Sequence, residues 1–293
     1  MNFDPISFAM GMNAAKGSEG SSGGGGAVEK GGYIKTTDNY VPAKYNQRWF
    51  YLNGELYAIV NQNTTNSVVD VYKIVDGTWT KIVSSFNALM ARFNSTNFIV
   101  EFHGKAQMLR PEAKSRLAFD GTTLSIPADL PCSCSNSING GCVHNDELYY
   151  WGSDYKIYKW NEATDTWAVV MEFPSSFNYN CSLYSYANNL FVIDGYHKKI
   201  YKITDFATST YELVFTLPDG VNVEFFFNEH LYLRSIQFNM PYAWKRYSFK
   251  DNTITELGNA PYLNQYNIYE DRITGFIGGA GSFQNEVELF FVE

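Results

Sequence analysis

The sequence lacks a long hydrophobic run and an excess of positive charge. No apolar stretch of the 293-residue chain approaches the roughly 18 residues that a membrane-spanning helix needs. The 22 basic residues are outnumbered by 30 acidic ones, which gives a net charge of −8. Nucleic-acid surfaces need clustered Lys and Arg to displace counterions from the phosphates. We therefore expect neither membrane insertion nor a nucleic-acid partner.

Cysteine and histidine are also scarce, with four residues of each type. Cys132, Cys134, Cys142 and His144 could in principle hold zinc. The single residue between Cys132 and Cys134 is, however, fewer than the two to four that structural zinc sites prefer. Without an export signal, reduced thiols are the expectation for these three and for Cys181, and a disulfide is the alternative. No Ser-His-Asp or Cys-His pattern is visible, so we predict no metal, no cofactor and no enzymatic activity.

Aromatic residues, by contrast, are abundant. The chain contains 22 Phe, 22 Tyr and 6 Trp, and the aromatic share is 17%. These side chains favour strands because they pack well on a pleated surface. Hydrophobic residues make up 45% of the chain and charged residues only 18%, so a large core can be buried. The composition predicts an all-β protein.

A unit of short apolar strands and polar turns recurs along most of the chain. Its clearest copy spans 145–174. The corresponding apolar strands begin at Leu56, Phe98, Leu148, Leu190, Leu231 and Ile273, with steps of 42, 50, 42, 41 and 42 residues. Four short strands at this period are typical of a β-propeller blade. We predict a six-bladed β-propeller over residues 33–293.

The last unit contains too few strands for a complete blade. After its final apolar segment, NEVELFFVE, no fourth strand follows. The segment GYIKTTDNYV (32–41) precedes the first full unit and is strand-like. We predict that it supplies the outer strand of the sixth blade, which would close the ring and cover an aggregation-prone edge.

The units resemble kelch repeats in their aromatic positions. Four tyrosines and two tryptophans occupy matching places: Tyr72, Tyr158, Tyr201, Tyr247, Trp79 and Trp167. The diglycine of that family is present only as Gly278-Gly279. The resemblance implies a kelch-like propeller, but no single function, because kelch propellers serve as enzymes, adaptors and adhesins. A cellular protein-interaction module and a propeller enzyme acting on carbohydrate are therefore alternatives.

An apolar leader precedes the repeats. Asp4 suits a helix N-cap and Pro5 a first helical position, so residues 1–16 are predicted to form an anchoring helix. The glycine-rich segment 17–32 is predicted to be a flexible tether. A helix this short is marginal alone in water and needs a partner groove. Its predicted docking residues are Phe3, Ile6, Phe8, Met10 and Met12. The alternatives are that the leader folds back onto the propeller or is disordered.

The leader also resembles the start of small virion proteins from tailed phages of Gram-positive bacteria. Its DPISF opening, an Ala/Gly-rich stretch and a Gly tract carry this resemblance. It implies a phage structural or display protein, located in the virion, whose helix docks on other virion proteins of a capsid, tail or fibre. The alternative location is the cytoplasm.

One face of the predicted disc carries aromatic residues at loop tips. The loops between second and third strands and those between blades leave the disc on the same side. Six aromatic residues lie on these loops: Phe177, Tyr179, Phe238, Tyr242, Tyr262 and Tyr266. Aromatics interspersed with Asn and Ser are typical of an adaptable binding surface. We predict that this face binds a host-surface glycan or protein. The alternative is that the aromatics fill the core and Asn and Ser form turns.

Overall fold

A computed structural model describes residues 32–36, 47–62, 68–75, 78–87, 98–110, 114–133, 140–179, 181–227, 229–236, 242–260, 266–269, 272–277 and 285–290. Within these ranges the secondary structure consists of 24 β-strands and contains no helix. The described part of the chain accordingly offers no helix that could cross a membrane.

The strands form six antiparallel four-stranded sheets. The first two blades contain β2 (Gln47–Leu52), β3 (Glu55–Asn61), β4 (Val68–Val75), β5 (Thr78–Asn87), then β6 (Phe98–Phe102), β7 (Lys105–Arg110), β8 (Ser115–Phe119) and β9 (Leu124–Ser125). The third and fourth contain β10 (Gly141–His144), β11 (Glu147–Gly152), β12 (Lys156–Asn161), β13 (Thr166–Glu172), then β14 (Ser182–Tyr186), β15 (Asn189–Asp194), β16 (Lys199–Asp205) and β17 (Thr210–Thr216). The fifth contains β18 (Val221–Phe227), β19 (His230–Ser235), β20 (Tyr242–Ser248) and β21 (Thr253–Ala260), and the sixth sheet contains β22 (Tyr266–Tyr269), β23 (Arg272–Ile277), β24 (Asn285–Phe290) and β1 (Gly32–Thr36).

Two-residue turns join the first and second strands of the first four blades. They consist of Asn53-Gly54, His103-Gly104, Asn145-Asp146 and Ala187-Asn188, and all eight residues have positive φ. A type I′ turn requires positive φ at both central residues, and its twist matches that of the strands it joins. These turns therefore hold the first two strands of each blade in a defined register.

The hydrophobic core lies between adjacent blades. The largest cluster fills the interface of the third and fourth blades and includes Trp151, Ile157, Phe173 and Leu183. Equivalent clusters fill the interface between the first and second blades and that between the fourth and fifth. Because both faces of a blade are covered by neighbours, its strands carry large apolar side chains on both sides, as the high aromatic content requires.

The second blade begins one strand later in the sequence than the repeat alignment predicts. Phe98 opens β6, the first strand of this blade, whereas Leu56 and Leu148 lie in second strands. The residue equivalent to Leu56 is Ala106, the second residue of β7. The long, 50-residue step therefore lies between the first and second blades, and not between the second and third. The alternating segment FIVEF resembles a second strand, while the small Ala106 and polar Gln107 make β7 inconspicuous.

The sixth sheet joins the two ends of the described chain. β1 pairs antiparallel with β24, from Gly32 opposite Phe290 to Thr36 opposite Glu286. The sheet order β1-β24-β23-β22 makes β1 the outermost strand, as predicted from segment 32–41. The inner strand β2 of the first blade contacts β22, the inner strand of this sheet.

The prediction of an all-β propeller is confirmed, but the predicted number of complete blades is not. Five blades, rather than six, consist of consecutive strands with described side chains. The sixth sheet is assembled from distant segments, and only its backbone is described. The predicted N-terminal helix and most of the predicted tether lie outside the described residues.

Candidate functional site

The alternating strand direction places the loops of each blade on two opposite faces. We call the side with the first-to-second and third-to-fourth turns the hairpin face. The side with the second-to-third loops and the connections between blades is the connector face. The predicted aromatic ligand surface belongs to the connector face.

Phe177 does not belong to that surface, which corrects the prediction made for it. Only 7% of this residue is exposed. Its ring centroid lies 4.9 Å from that of Phe173 and 4.6 Å from that of Tyr201. The backbone N–H of Phe177 donates to the carbonyl of Pro174, so the connection turns inward. The ring fills the interface between the third and fourth blades, where burial stabilises it more than solvent exposure would.

The other predicted aromatics are not brought together by the described structure. Tyr179 does lie on the connector face and is 46% exposed. Tyr242 lies in β20 and Tyr266 in β22, and for these two residues only the backbone is described. Phe238 and Tyr262 lie outside the described residues. The predicted binding role of these positions therefore remains a prediction.

The sequence analysis missed an exposed tyrosine in a loop that is linked to the loop of Tyr179. Tyr196, in the loop between β15 and β16, is 75% exposed. The buried carboxylate of Asp194 links the two loops: it accepts hydrogen bonds from the backbone N–H groups of Asn178 (3.0 Å) and His197 (3.0 Å). The tight DGYH turn was the available sequence signal.

A cavity lies on the opposite, hairpin face, which sequence reasoning did not single out. It has a volume of about 370 Å³ and lies between the third and fourth blades. Its lining residues are His144, Asn145, Asn188, Asn189, Leu190, Lys202, Ile203, Thr204, Asp205 and Phe206. They come from two type I′ turns and from the end of β16 with the turn that follows it. We call this cavity the hairpin-face pocket.

His144 forms the inner wall of the hairpin-face pocket and is only 7% exposed. Its Nδ1 lies 2.9 Å from the Ser185 Oγ, and its Nε2 lies 3.2 Å from the Asn145 side-chain amide. Burial lowers the pKa of His144 from its ordinary value of 6.5. The imidazole is therefore neutral at neutral pH, with each nitrogen next to a hydrogen-bonding group.

The rest of the pocket wall is held in place by contacts within the protein. The ring of Phe206 stacks on Tyr149 with centroids 5.4 Å apart and planes 8° from parallel. Asp205 accepts a hydrogen bond from the Ala207 N–H (2.8 Å) and another from the Thr208 hydroxyl (2.7 Å). The bond from Thr208, followed by that from Ala207, lowers the pKa of Asp205. Since these groups are already fixed, the pocket is preformed for a ligand.

The residues considered for zinc do not form a metal centre in the described structure. Cys132 Sγ lies 3.5 Å from the Asp154 carboxylate, and burial raises the pKa of this thiol to about 11. His144 is directed to Ser185 instead. Cys134 lies outside the described residues, and within the described ranges no three potential metal ligands cluster.

Comparisons with known proteins define the class of fold. No family model and no curated protein sequence matches the chain. A catalytically inactive variant of virginiamycin B lyase from Staphylococcus aureus, with quinupristin, is 12% identical; the match covers 90% of this chain and all of the lyase chain with a TM-score of 0.54. A protein from Bacteroides fragilis is also 12% identical, with coverages of 91% and 96% and a TM-score of 0.56. At these identities the likeness establishes only that the fold is a β-propeller. It shows neither membership of the kelch family nor a likeness to phage proteins.

The prediction that the chain is not an enzyme is contradicted by this comparison. The fold is shared with virginiamycin B lyase, which is an enzyme. Sparse histidines and the absence of a linear catalytic motif therefore do not exclude catalysis, because a propeller brings together side chains that are distant in sequence.

Proposed function

We propose that this protein is a ligand-binding β-propeller whose hairpin-face pocket binds a small, uncharged, hydroxyl-rich ligand of the saccharide class. The observation that carries this proposal is the preformed cavity of about 370 Å³, which lies within the range of roughly 300–1,000 Å³ typical of small-molecule sites. It is at the smaller end of that range, which suits a mono- or disaccharide.

The chemistry of the lining supports a saccharide over an ionic ligand. Asn145, Asn188 and Asn189 bring amide groups, which can both donate to and accept from sugar hydroxyls. Phe206 adds an aromatic ring that can pack against the apolar face of a pyranose. One lysine and one aspartate line the pocket, so the lining has no excess of either charge.

Filling the pocket is expected to weaken saccharide binding. Thr204 is an exposed lining residue, and its hydroxyl donates to the Thr210 hydroxyl at 2.9 Å. Thr204→Trp should lower affinity about tenfold or more, because the indole occupies the ligand volume. Saturation-transfer NMR with a panel of neutral mono- and disaccharides measures the change.

Thr210→Trp is the matched control. It breaks the same hydroxyl pair on an exposed strand, but residue 210 does not line the pocket. This variant should bind as the wild type does. Equal binding by both variants, or saccharide signals from neither variant nor wild type, would exclude the pocket as a saccharide site.

We also propose that the sixth sheet closes a six-bladed kelch-like ring and that segment 1–16 docks this ring on a larger particle. β1 begins at Gly32 and is the outermost strand of its sheet, so the preceding chain leaves from the rim of the disc. Such an exit suits a displayed domain. The phage virion is the particle that the leader resembles, and a cellular interaction module is the alternative.

Two acidic substitutions test the docking role. Burial of Ile6 and Met10 in a groove would contribute roughly 1.5–3 kcal/mol each, and buried carboxylates would reverse that gain. The double variant Ile6→Asp/Met10→Asp should be lost from purified particles while the isolated protein keeps its melting temperature. Quantitative mass spectrometry of the particles provides the measurement, and undiminished incorporation would show that the leader is not an anchor.

A further inference from the structure

We propose that Ser185 is a nucleophile and His144 its general base, and that together they hydrolyse carboxylic esters of the ligand in the hairpin-face pocket. The choice of a saccharide ester rests on the proposed function above. The nucleophile and base themselves rest on the geometry at the interface of the third and fourth blades.

The two side chains meet because of strand alternation. Leu183 packs in the core cluster between the third and fourth blades, so Ser185, two residues further along β14, faces the third blade. Cys142 packs against the same cluster, so His144, two residues further along β10, faces the fourth blade. The resulting Nδ1 to Oγ distance of 2.9 Å is within the reach of a general base.

Ser185 adjoins the hairpin-face pocket through His144. His144 lines this pocket, and Ser185, whose Oγ lies 2.9 Å from His144 Nδ1, is partly exposed. A nucleophile hydrogen-bonded to a base that is itself oriented by a third group is the arrangement that activates serine. Asn145 is this third group, and its positive φ of 48° within the type I′ turn fixes its position.

The protonation state suits a base. For Ser185 to donate to Nδ1, the ring proton must lie on Nε2 and point to the side-chain oxygen of Asn145. The Asn145 Nδ2 lies 3.2 Å from His144 Nε2. A half-turn of this amide exchanges its nitrogen for its oxygen, which can then accept from the Nε2–H. Burial keeps the imidazole uncharged at neutral pH, so Nδ1 is available to take the proton.

The reaction balances with water as the co-substrate. The Ser185 Oγ forms a bond to the ester carbonyl carbon while its proton passes to His144 Nδ1. The carbon–oxygen bond to the alcohol then breaks, and the alcohol leaves with that proton. A water molecule next adds to the acyl-serine, giving its proton to Nδ1, and the carboxylic acid leaves as Ser185 regains its proton. Asn188 lines the same pocket and has an amide donor for the carbonyl oxygen, whereas the Asn189 amide already donates to the Ala187 carbonyl at 2.8 Å.

Covalent labelling tests the nucleophile directly. A fluorophosphonate should form one adduct per protein, located by peptide mass spectrometry on Ser185. Ser185→Ala should lose the adduct and lower the hydrolysis of p-nitrophenyl acetate and of a peracetylated monosaccharide by roughly 10³-fold. His144→Gln should slow labelling to a similar extent. Ser182→Ala is the control, because Ser182 lies on the same strand but on its other face and should label normally.

The pH profile provides a readout that a structural role for His144 would not change. Labelling should increase as His144 loses its proton, with a midpoint below pH 6.5 and a plateau through neutral pH. Charged residues around His144 include Lys202 and Asp205, which line the same pocket, and Glu147, which is opposite His144 in the strand register, while Asp146 in the adjoining turn pairs with His103. If no adduct forms, or if it forms at another residue, Ser185 is not the nucleophile, whether or not the protein binds saccharide. An adduct on Ser185 without saccharide binding would instead refute only the proposed ligand.

Discussion

Removal of residues 1–42 is expected to destabilise the propeller severely, whereas removal of residues 1–31 leaves it folded. The longer deletion removes β1, whose five residues pair along β24. Each lost backbone hydrogen bond costs about 0.5–1.5 kcal/mol, so the whole ladder represents several kcal/mol of the about 5–15 that stabilises a typical domain. The exposed edge of β24 would also promote aggregation. Thermal denaturation and light scattering of both truncations measure these effects.

Single proline substitutions in β1 distinguish the effect of losing strand pairing from the effect of deleting the segment. Alternate residues of an edge strand direct their N–H groups to the neighbouring strand. Of Ile34→Pro and Lys35→Pro, one should therefore lower the melting temperature clearly more than the other. If both truncations melt alike and neither proline matters, β1 does not close the sheet.

Among substitutions of partly exposed residues between the second and third blades, Asp165→Ala is expected to be the most destabilising. Asp165 accepts a 2.6 Å hydrogen bond from Arg116, whose side chain is fully buried. The Arg116 guanidinium also lies 4.0 Å from the ring centroid of Trp160. Asp165 further accepts hydrogen bonds from the Ala128 N–H (2.8 Å) and the Trp160 indole (3.0 Å). Its loss leaves a buried cation without its partner.

The expected cost is about 2 kcal/mol, below the about 3–5 of a fully buried pair, because 44% of the Asp165 side chain is exposed and screened. Arg116→Met should cost less, since a long apolar side chain fills the same space without a charge to solvate. Denaturant unfolding of both single variants and the double variant gives the coupling energy. A cost for Asp165→Ala no larger than that for Arg116→Met would contradict the account.

The loss of folding stability at low pH gives an independent test of the contacts of Asp165. Burial tends to raise its pKa, but the hydrogen bonds from Ala128 and Trp160 and the charge of Arg116 outweigh burial and lower it. A carboxylate with a lowered folded-state pKa stabilises the protein above its unfolded value of about 3.9. This contribution disappears as the pH falls through the folded-state pKa. Asp165→Ala should therefore show a smaller loss of stability between about pH 5 and pH 2 than the wild type.

The repeat period and the aromatic content were sufficient to predict an all-β propeller. Strand alternation and turn chemistry are local properties, so each 42-residue unit carries them in its own sequence. The same reasoning placed segment 32–41 beside the last strand, and β1 pairs there with β24. It misplaced Phe98 because the apolar β6 resembles a second strand, whereas Ala106 and Gln107 make the true second strand, β7, inconspicuous.

The candidate site, in contrast, was decided by tertiary structure alone. His144 and Ser185 are separated by 41 residues and come from different blades, and no spacing rule links them. Phe177 likewise has the local sequence of a loop tip, yet its ring packs against Phe173 and Tyr201. Sequence determines which side of its own strand a residue occupies. Which residue of the next blade faces it depends on how the aromatic cores between blades pack, and that packing sets both the pocket and its chemistry.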